Sequence, residues 1–188
     1  MKVVAIVGSP RRNGNTEILT SHCLKAIAEE GIDAELISLA GLDIKPCNHC
    51  KVCSTKEECS IEDDFFPIYQ KMKAAHGIIL ASPVYFSAAT SLIRALMERA
   101  GYMAIYNGRP FERKVGGPLV VARRAGQNFT VAELTLWFQY HNIIVPGSTY
   151  WNMAFGRDKG EVSHDEEGMK TAWNFGKNMA WLLNKINT

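Results

Sequence analysis

"KVVAIVGSPRRNGNTEIL", Lys2 to Leu19, opens on an apolar, β-branched run and closes on the start of a helical pattern. Lys2 to Val7 shows no polar alternation, as expected of a strand buried on both faces of a parallel sheet. From Asn15 to Glu30, apolar residues at Ile18, Leu19, Leu24, Ile27 and Ala28 recur near helical period, and Gly31 follows where a C-terminal cap is expected. Between strand and helix lies "GSPRRNGNT", Gly8 to Thr16. Ligands of such sheets bind outside the strands' carboxyl ends, where a helix N-terminus offers free N–H groups and a positive dipole end, so an anion, most simply a phosphate, is implied. A nucleotide-triphosphate loop would need Gly, four residues, then Gly-Lys-Ser/Thr; here five residues separate Gly8 from Gly14, and Asn15 stands where Lys should be. The dinucleotide fingerprint Gly-x-Gly-x-x-Gly is absent too. What remains is Ser9, Asn13, Asn15 and Thr16 with Arg11 or Arg12, hydroxyls, amides and charge suited to a terminal phosphate monoester.

Working outward, the strand-then-helix order repeats. Ala34 to Leu39 reads as a second strand, Asp63 to Ala75 as a helix with acidic residues at its start, and Gly77 to Ala81 as a third strand running into "SPVYF", Ser82 to Phe86. Thr90–Ala100, Thr130–His141 and Asp165–Ile186 suit helices, and Val115–Ala122 and Ile143–Ser148 suit the fourth and fifth strands. Such alternation predicts a doubly wound α/β sandwich. With 188 residues, 47% hydrophobic, and no internal repeat or long linker, one domain over 1–188 is expected, carrying a cysteine loop at 46–60. A net charge of +2 without basic or acidic blocks argues against nucleic acid and anionic membrane as partners. Val3 to Val7 is too short for a signal peptide's apolar region, and no run approaches a membrane span, so a cytoplasmic location is expected. In "TVAELTLWFQYH", Val131, Leu134 and Phe138 suit the sheet-facing side; Leu136, Trp137 and Tyr140 are surplus apolar surface, either a subunit interface or ground covered by the Tyr150–Val162 loop.

Four of the five cysteines crowd "PCNHCKVCSTKEECSIEDDF", Pro46 to Phe65. Cys47, Cys50, Cys53 and Cys59 give Cys-x2-Cys-x2-Cys-x5-Cys, a spacing that lets one loop offer three thiolates to a single centre while Cys59 returns as the fourth ligand of a [4Fe–4S] cluster. Zinc also takes four thiolates, though usually from two separated knuckles. Disulfides disagree with a reducing compartment, and free surface thiols invite oxidation, so these stand as the remaining alternatives. Cys23 fits a helix's apolar pattern as a core residue, and His49 suits solvent. No Ser/His/Asp or paired-carboxylate arrangement stands out, so no side chain is assigned a catalytic role.

The strand followed by "GSPRRNGNT", and "SPVYF" after the third strand, resembles the NADPH-dependent FMN reductase group of flavodoxin-like proteins. The resemblance implies a three-layer sandwich on a five-stranded parallel sheet of order 2-1-3-4-5. It implies that Ser9, Arg11, Asn13, Asn15 and Thr16 bind the FMN phosphate, and that Pro83, Val84, Tyr85, Phe86 and Ser87 frame the flavin ring. A third segment, "ARRAGQNFT" (Ala122 to Thr130), would bring Gly126 close and set Arg123 or Arg124 near the ring's electron-rich edge. "LIRALMERAGY" resembles a family helix that usually ends in Asp-Arg, here Glu98-Arg99. Within the group, the iron-sulfur flavoprotein family carries a compact cysteine motif of this spacing just after the second strand, before an acidic helix start like "IEDDF". The resemblance therefore implies an FMN- and [4Fe–4S]-containing electron-transfer oxidoreductase, with NAD(P)H or ferredoxin as donor, a small-molecule acceptor, and assembly as a homodimer or homotetramer. The alternatives are an NAD(P)H-dependent FMN or quinone reductase without a cluster, and a zinc-stabilised binding or sensor protein. The likeness fades beyond Tyr150.

Overall fold

The computed structural model describes residues 1–186, so the last two positions of the expected domain lie outside the described residues. Five strands, β1 (Lys2–Val7), β2 (Asp33–Ser38), β3 (Gly77–Pro83), β4 (Val115–Ala122) and β5 (Met153–Phe155), form one sheet in the order β2-β1-β3-β4-β5. All neighbouring pairs are parallel, as expected. Helices α1 (Asn15–Ala28) and α5 (Glu166–Ile186) cover one face; α2 (Phe65–Ala74), α3 (Ser91–Tyr106) and α4 (Gln127–Tyr140) cover the other.

The period of two in β1 divides the core: Val4 and Ile6 join the α2–α3–α4 side, Val3, Ala5 and Val7 the α1–α5 side, and all five are fully buried. Helix α1 meets α5 at Gly176, where a Cβ would stand 2.5 Å from the Cys23 carbonyl oxygen, so glycine permits backbone-to-backbone approach. Cys23 is buried in that layer, and burial pushes its thiol pKa up, leaving it an inert apolar residue.

The fifth strand is a correction. The expected segment, Ile143–Ser148, forms only a single bridge, Ile144 to Val115 at the start of β4. Pro146 has no N–H to continue a ladder, and the far half of β4 pairs instead with Met153–Phe155. Helix α4 also settles its surplus: Leu134 and Phe138 are buried, and Trp137 is half-buried with its indole N–H donating to the Met97 carbonyl of α3 at 3.0 Å. Leu136 and Tyr140 remain 64% and 61% exposed, so the loop at 150–162 does not cover them.

Helix α3 is the element on which both candidate sites hang. Thr90 caps it, its hydroxyl accepting from the Ile93 N–H while donating to the Gly8 carbonyl at 2.6 Å. A Cβ on Gly8 would lie 2.6 Å from the Ile93 Cβ, so the loop after β1 sits directly against the helix. Farther along, Arg99 and Asn107 both reach the cysteine loop.

Candidate functional site

At the carboxyl ends of β1, β3, β4 and β5 the chain leaves an open groove of about 400 Å³, a size ordinary for a cofactor. Its polar floor is the loop after β1. Gly14, the N-cap of α1, has no side chain to satisfy the helix's first N–H groups, so these donors remain open to an anion. Ser9, Arg11, Gly14, Asn15 and Thr16 line this end, and Arg123 and Arg157 add two further guanidiniums. Pro83, Val84, Tyr85 and Val121 supply the apolar wall.

The loop from Gly156 to Gly160 closes over the floor. Asn15 clips it in place: its side-chain amide donates to the Asp158 carbonyl at 2.9 Å, and its oxygen accepts from the Gly160 N–H at 2.8 Å. Glu17 braces the other flank, accepting from the Asn13 N–H and from the Ser38 hydroxyl at the end of β2. Beyond the apolar wall, Tyr85 and Ala88 exchange backbone hydrogen bonds around a two-residue turn in which Phe86 and Ser87 both take positive φ, 50° and 64°. Such a turn favours Asn and Gly, so Phe86 there is held at a conformational cost. It points its ring wholly into solvent. Gly126, at φ 87°, packs under this turn; a Cβ on it would fall 2.7 Å from the Ser87 hydroxyl oxygen and 3.1 Å from Val84.

The second feature is the cysteine loop. Its neck is tied by Asp63 and Asp64, whose carboxylates accept from the Lys45 and Asp43 N–H groups at 2.9 and 2.8 Å. Glu57 is held by the Tyr69 hydroxyl at 2.9 Å and by Lys73, and Asn107 donates to the Cys53 carbonyl at 3.0 Å. All five cysteines of the chain are free thiols. Cys47, Cys50, Cys53 and Cys59 line one small pocket of about 30 Å³ together with Ile61, Arg99, Tyr102, Met103 and Tyr106. Among the described residues no three His, Cys, Asp or Glu side chains converge closely enough to hold a single metal ion. A tetrahedral ion with metal–sulfur bonds of about 2.3 Å needs its thiolates nearly in contact, whereas a cluster gives each thiolate its own iron and spreads them around a larger body.

Electrostatically the loop is uneven. The Ser60 hydroxyl beside Cys50, with the Val52 N–H, holds that exposed thiol below its ordinary range. Burial, reinforced by the neighbouring Cys47 and Cys50, pushes Cys53 up. Beneath them lies a fully buried ion pair, Arg99 to Asp63 at 2.5 Å, their side chains 2% and 0% exposed. Burial alone would raise the Asp63 pKa, but the Arg99 hydrogen bond and the Lys45 and Phe65 N–H groups outweigh it and hold the carboxyl below the usual range.

Of the residues picked out by sequence, the structure gathers Ser9, Arg11, Asn15, Thr16, Pro83, Val84, Tyr85 and Arg123 on one groove, and all four loop cysteines on one cavity. Arg123, not Arg124, lines the groove. Asn13, Phe86, Ser87 and Gly126 do not line it: Asn13 spends its N–H on Glu17, and the other three build the rim. Sequence reasoning missed Gly156, Arg157 and Asp158, which no local motif marks, and Asp63 as the partner of Arg99.

The sequence pattern of the NADPH-dependent FMN reductase family matches residues 1–158. An iron-sulfur flavoprotein of Methanocaldococcus jannaschii is 40% identical over 193 aligned positions, covering 99% of each chain. Among solved structures, RosB with its bound intermediate 8-demethyl-8-formylriboflavin-5'-phosphate superposes with a TM-score of 0.81 at 18% identity, over 100% of this chain and 80% of that one. A flavodoxin, WrbA-like protein of Agrobacterium tumefaciens gives 0.66 at 16% identity, over 98% and 97%. These two likenesses speak for the fold.

Proposed function

The chain belongs to the NADPH-dependent FMN reductase family and, within it, to the iron-sulfur flavoproteins, and we propose that it is an electron-transfer oxidoreductase that holds FMN in the groove and a [4Fe–4S] cluster in the cysteine loop. Its standing as an FMN-dependent oxidoreductase comes with the family; the cluster, the binding residues and the partners are our reading. The observation that carries it is that four thiols of one loop, at Cys-x2-Cys-x2-Cys-x5-Cys spacing, line a single pocket.

The residues fit both groups. For FMN, the uncapped N-terminus of α1 and the guanidiniums of Arg11 and Arg157 suit a dianionic phosphate monoester, because charge-assisted donors are about twice as strong as neutral ones. Tyr85, with Val84 and Pro83, offers apolar surface to a planar ring, and Arg123 places positive charge in the same groove. For the cluster, Cys47, Cys50, Cys53 and Cys59 supply four sulfur ligands, and Ile61, Tyr102 and Met103 give the pocket an apolar wall. When bound, FMN supplies two-electron chemistry and the cluster one-electron chemistry, so the pair interconverts the two.

Donor and acceptor follow from that chemistry: NAD(P)H or a ferredoxin-type carrier on one side, a small-molecule acceptor on the other. The exposed Leu136 and Tyr140 on α4 support assembly with like subunits, and the free thiols fit a reducing, cytoplasmic setting. No helix among the described residues is long and apolar enough to cross a membrane.

Purification without oxygen, followed by iron, sulfide and flavin analysis, tests the reading. The expected protein is brown, with broad iron-sulfur absorption beneath flavin bands and four irons per chain at full loading. A yellow protein without iron would leave a plain flavin reductase, and a colourless one holding zinc would overturn both cofactors.

A further inference from the structure

Arg99 reaches from the middle of α3 into the base of the cysteine loop, its side chain 2% exposed. One terminal nitrogen, Nη1, donates to Asp63 at 2.5 Å and to the Lys45 carbonyl at 3.1 Å. The other, Nη2, donates to the Cys59 sulfur at 3.1 Å and to the Ile61 carbonyl at 3.3 Å. Its plane covers the Phe65 ring with 4.1 Å between the guanidinium carbon and the ring centroid, and its Nε is buried without a partner. Every one of these contacts comes from the loop or its two ends.

Stability alone is a poor reason for such an arrangement, since a buried ion pair commonly does no better than apolar side chains of equal volume. What an apolar replacement could not supply is a fixed positive charge and an N–H donor at one particular sulfur. The carboxylate of Asp63 grips one arm of the fork and presents the other to Cys59, a geometry lysine's single ammonium cannot reproduce.

We propose that Arg99 is a positioning residue for the redox centre: it fixes Cys59 as the fourth ligand and, through its N–H···S bond and its charge, raises the reduction potential of the cluster bound there. This rests on the cluster reading above. Reduction brings one electron from the donor and adds one negative charge to the centre, with no bond made or broken in the protein. A buried guanidinium beside a ligand sulfur stabilises the more negative state, and hydrogen bonds to cluster sulfurs are a general lever on potential. Asp63 is the orienting partner; it faces the guanidinium's far arm, and the sulfur meets the positive end of the pair.

The test uses full-length protein loaded with iron and sulfide under anaerobic conditions, in two variants: Arg99→Lys, which keeps the charge but loses the fork, and Arg99→Met combined with Asp63→Asn, which removes both charges without stranding a buried carboxylate. The readout is a redox titration of the reduced-cluster electron-spin signal, with the flavin potential followed in the same cell. The double variant is expected to shift its reduction equilibrium at least about tenfold toward the oxidised form, ~59 mV for one electron. Arg99→Lys should fall between it and the wild type, with the flavin potential unmoved. If cluster-loaded variants keep the wild-type cluster potential, the inference is overturned, even when iron is lost faster to a chelator, because that alone means a structural clamp. If the double variant does not fold, Arg99→Lys decides by the same criterion. A wild-type protein that takes up no iron overturns the cluster reading, and this inference with it.

Discussion

Replacing Asn15 by alanine separates two roles that the groove allows this residue. Its amide spans the chain, bonding Asp158 and Gly160 at sequence separations of 143 and 145. Each neutral hydrogen bond contributes about 1 kcal/mol, so losing both should ease opening of the Gly156–Gly160 loop by about 2 kcal/mol, roughly a thirtyfold change. The effect is local, and the global melting temperature should hardly move. Native-state hydrogen exchange reads it directly: the Gly160 amide should lose about thirtyfold in protection. Arg157 rides on this loop, so FMN affinity, followed by flavin fluorescence on titrating apoprotein, should weaken between about threefold and thirtyfold, the upper bound set by the same ~2 kcal/mol. Asn15→Asp should be worse than alanine, since it keeps the acceptor for Gly160 but sets a carboxylate against the Asp158 carbonyl beneath the phosphate end. Weakened FMN binding with unchanged Gly160 exchange would refute the latch and return Asn15 to direct phosphate contact.

Cys50→Ser should abolish the cluster signal while flavin content stays at the wild-type level, because Cys50 lies outside the groove; parallel iron and flavin analysis checks it. Gly126→Ala forces a side chain at φ 87° and 2.7 Å from the Ser87 hydroxyl oxygen, and should cost about 1–3 kcal/mol of stability with a loss of FMN affinity as the Tyr85–Ala88 turn shifts, measured by denaturant midpoint and flavin titration. His141 is held down to about 4 by burial, with Arg109 adding to it, so it is neutral in the folded protein, whereas the unfolded chain takes up the proton near pH 6.5. Stability should therefore fall as pH drops from about 6.5 towards 4 and lose nothing more from this group below that; His141→Gln should flatten that part of the pH profile of urea midpoints.

Much of the fold could be read from sequence because local and global signals agree. The run Val3–Val7 has a single outcome, burial on both faces, and Gly14 before a helical pattern marks where the first loop must turn. The fifth strand departs from the sequence expectation for a definite reason: "NIIVPGS" has the right apolar content, but strand identity at a sheet edge is decided by which backbone groups β4 leaves open, and Pro146 withdraws from that competition. The groove was legible where its residues lie at or just past a strand end, as Ser9 and Val84 do. It was illegible at Arg157, whose relation to Asn15 exists only in three dimensions. Asn13 carries the right chemistry for phosphate, yet its positive φ turns its N–H to Glu17, a backbone fact that composition does not encode. Arg99 stood in plain view beside Glu98, but its partner turned out to be Asp63, from the far side of the cysteine loop.

Helix α3 touches the loop after β1 through Thr90, the fourth cysteine through Arg99 and the third through Asn107. The helix is thus a gauge as well as a wall. From Thr90 to Arg99 it advances about 1.5 Å per residue, roughly 14 Å along its axis, and this rigid length sets how far apart the two pockets are held. Deleting one residue between them would shorten that span only slightly but would turn everything beyond it by about 100°, swinging Arg99 away from its sulfur while Thr90 kept its grip on Gly8. Spacing between the pockets is therefore set in whole residues and cannot be adjusted continuously, so sequence drift in this helix should proceed by substitution and not by insertion or deletion.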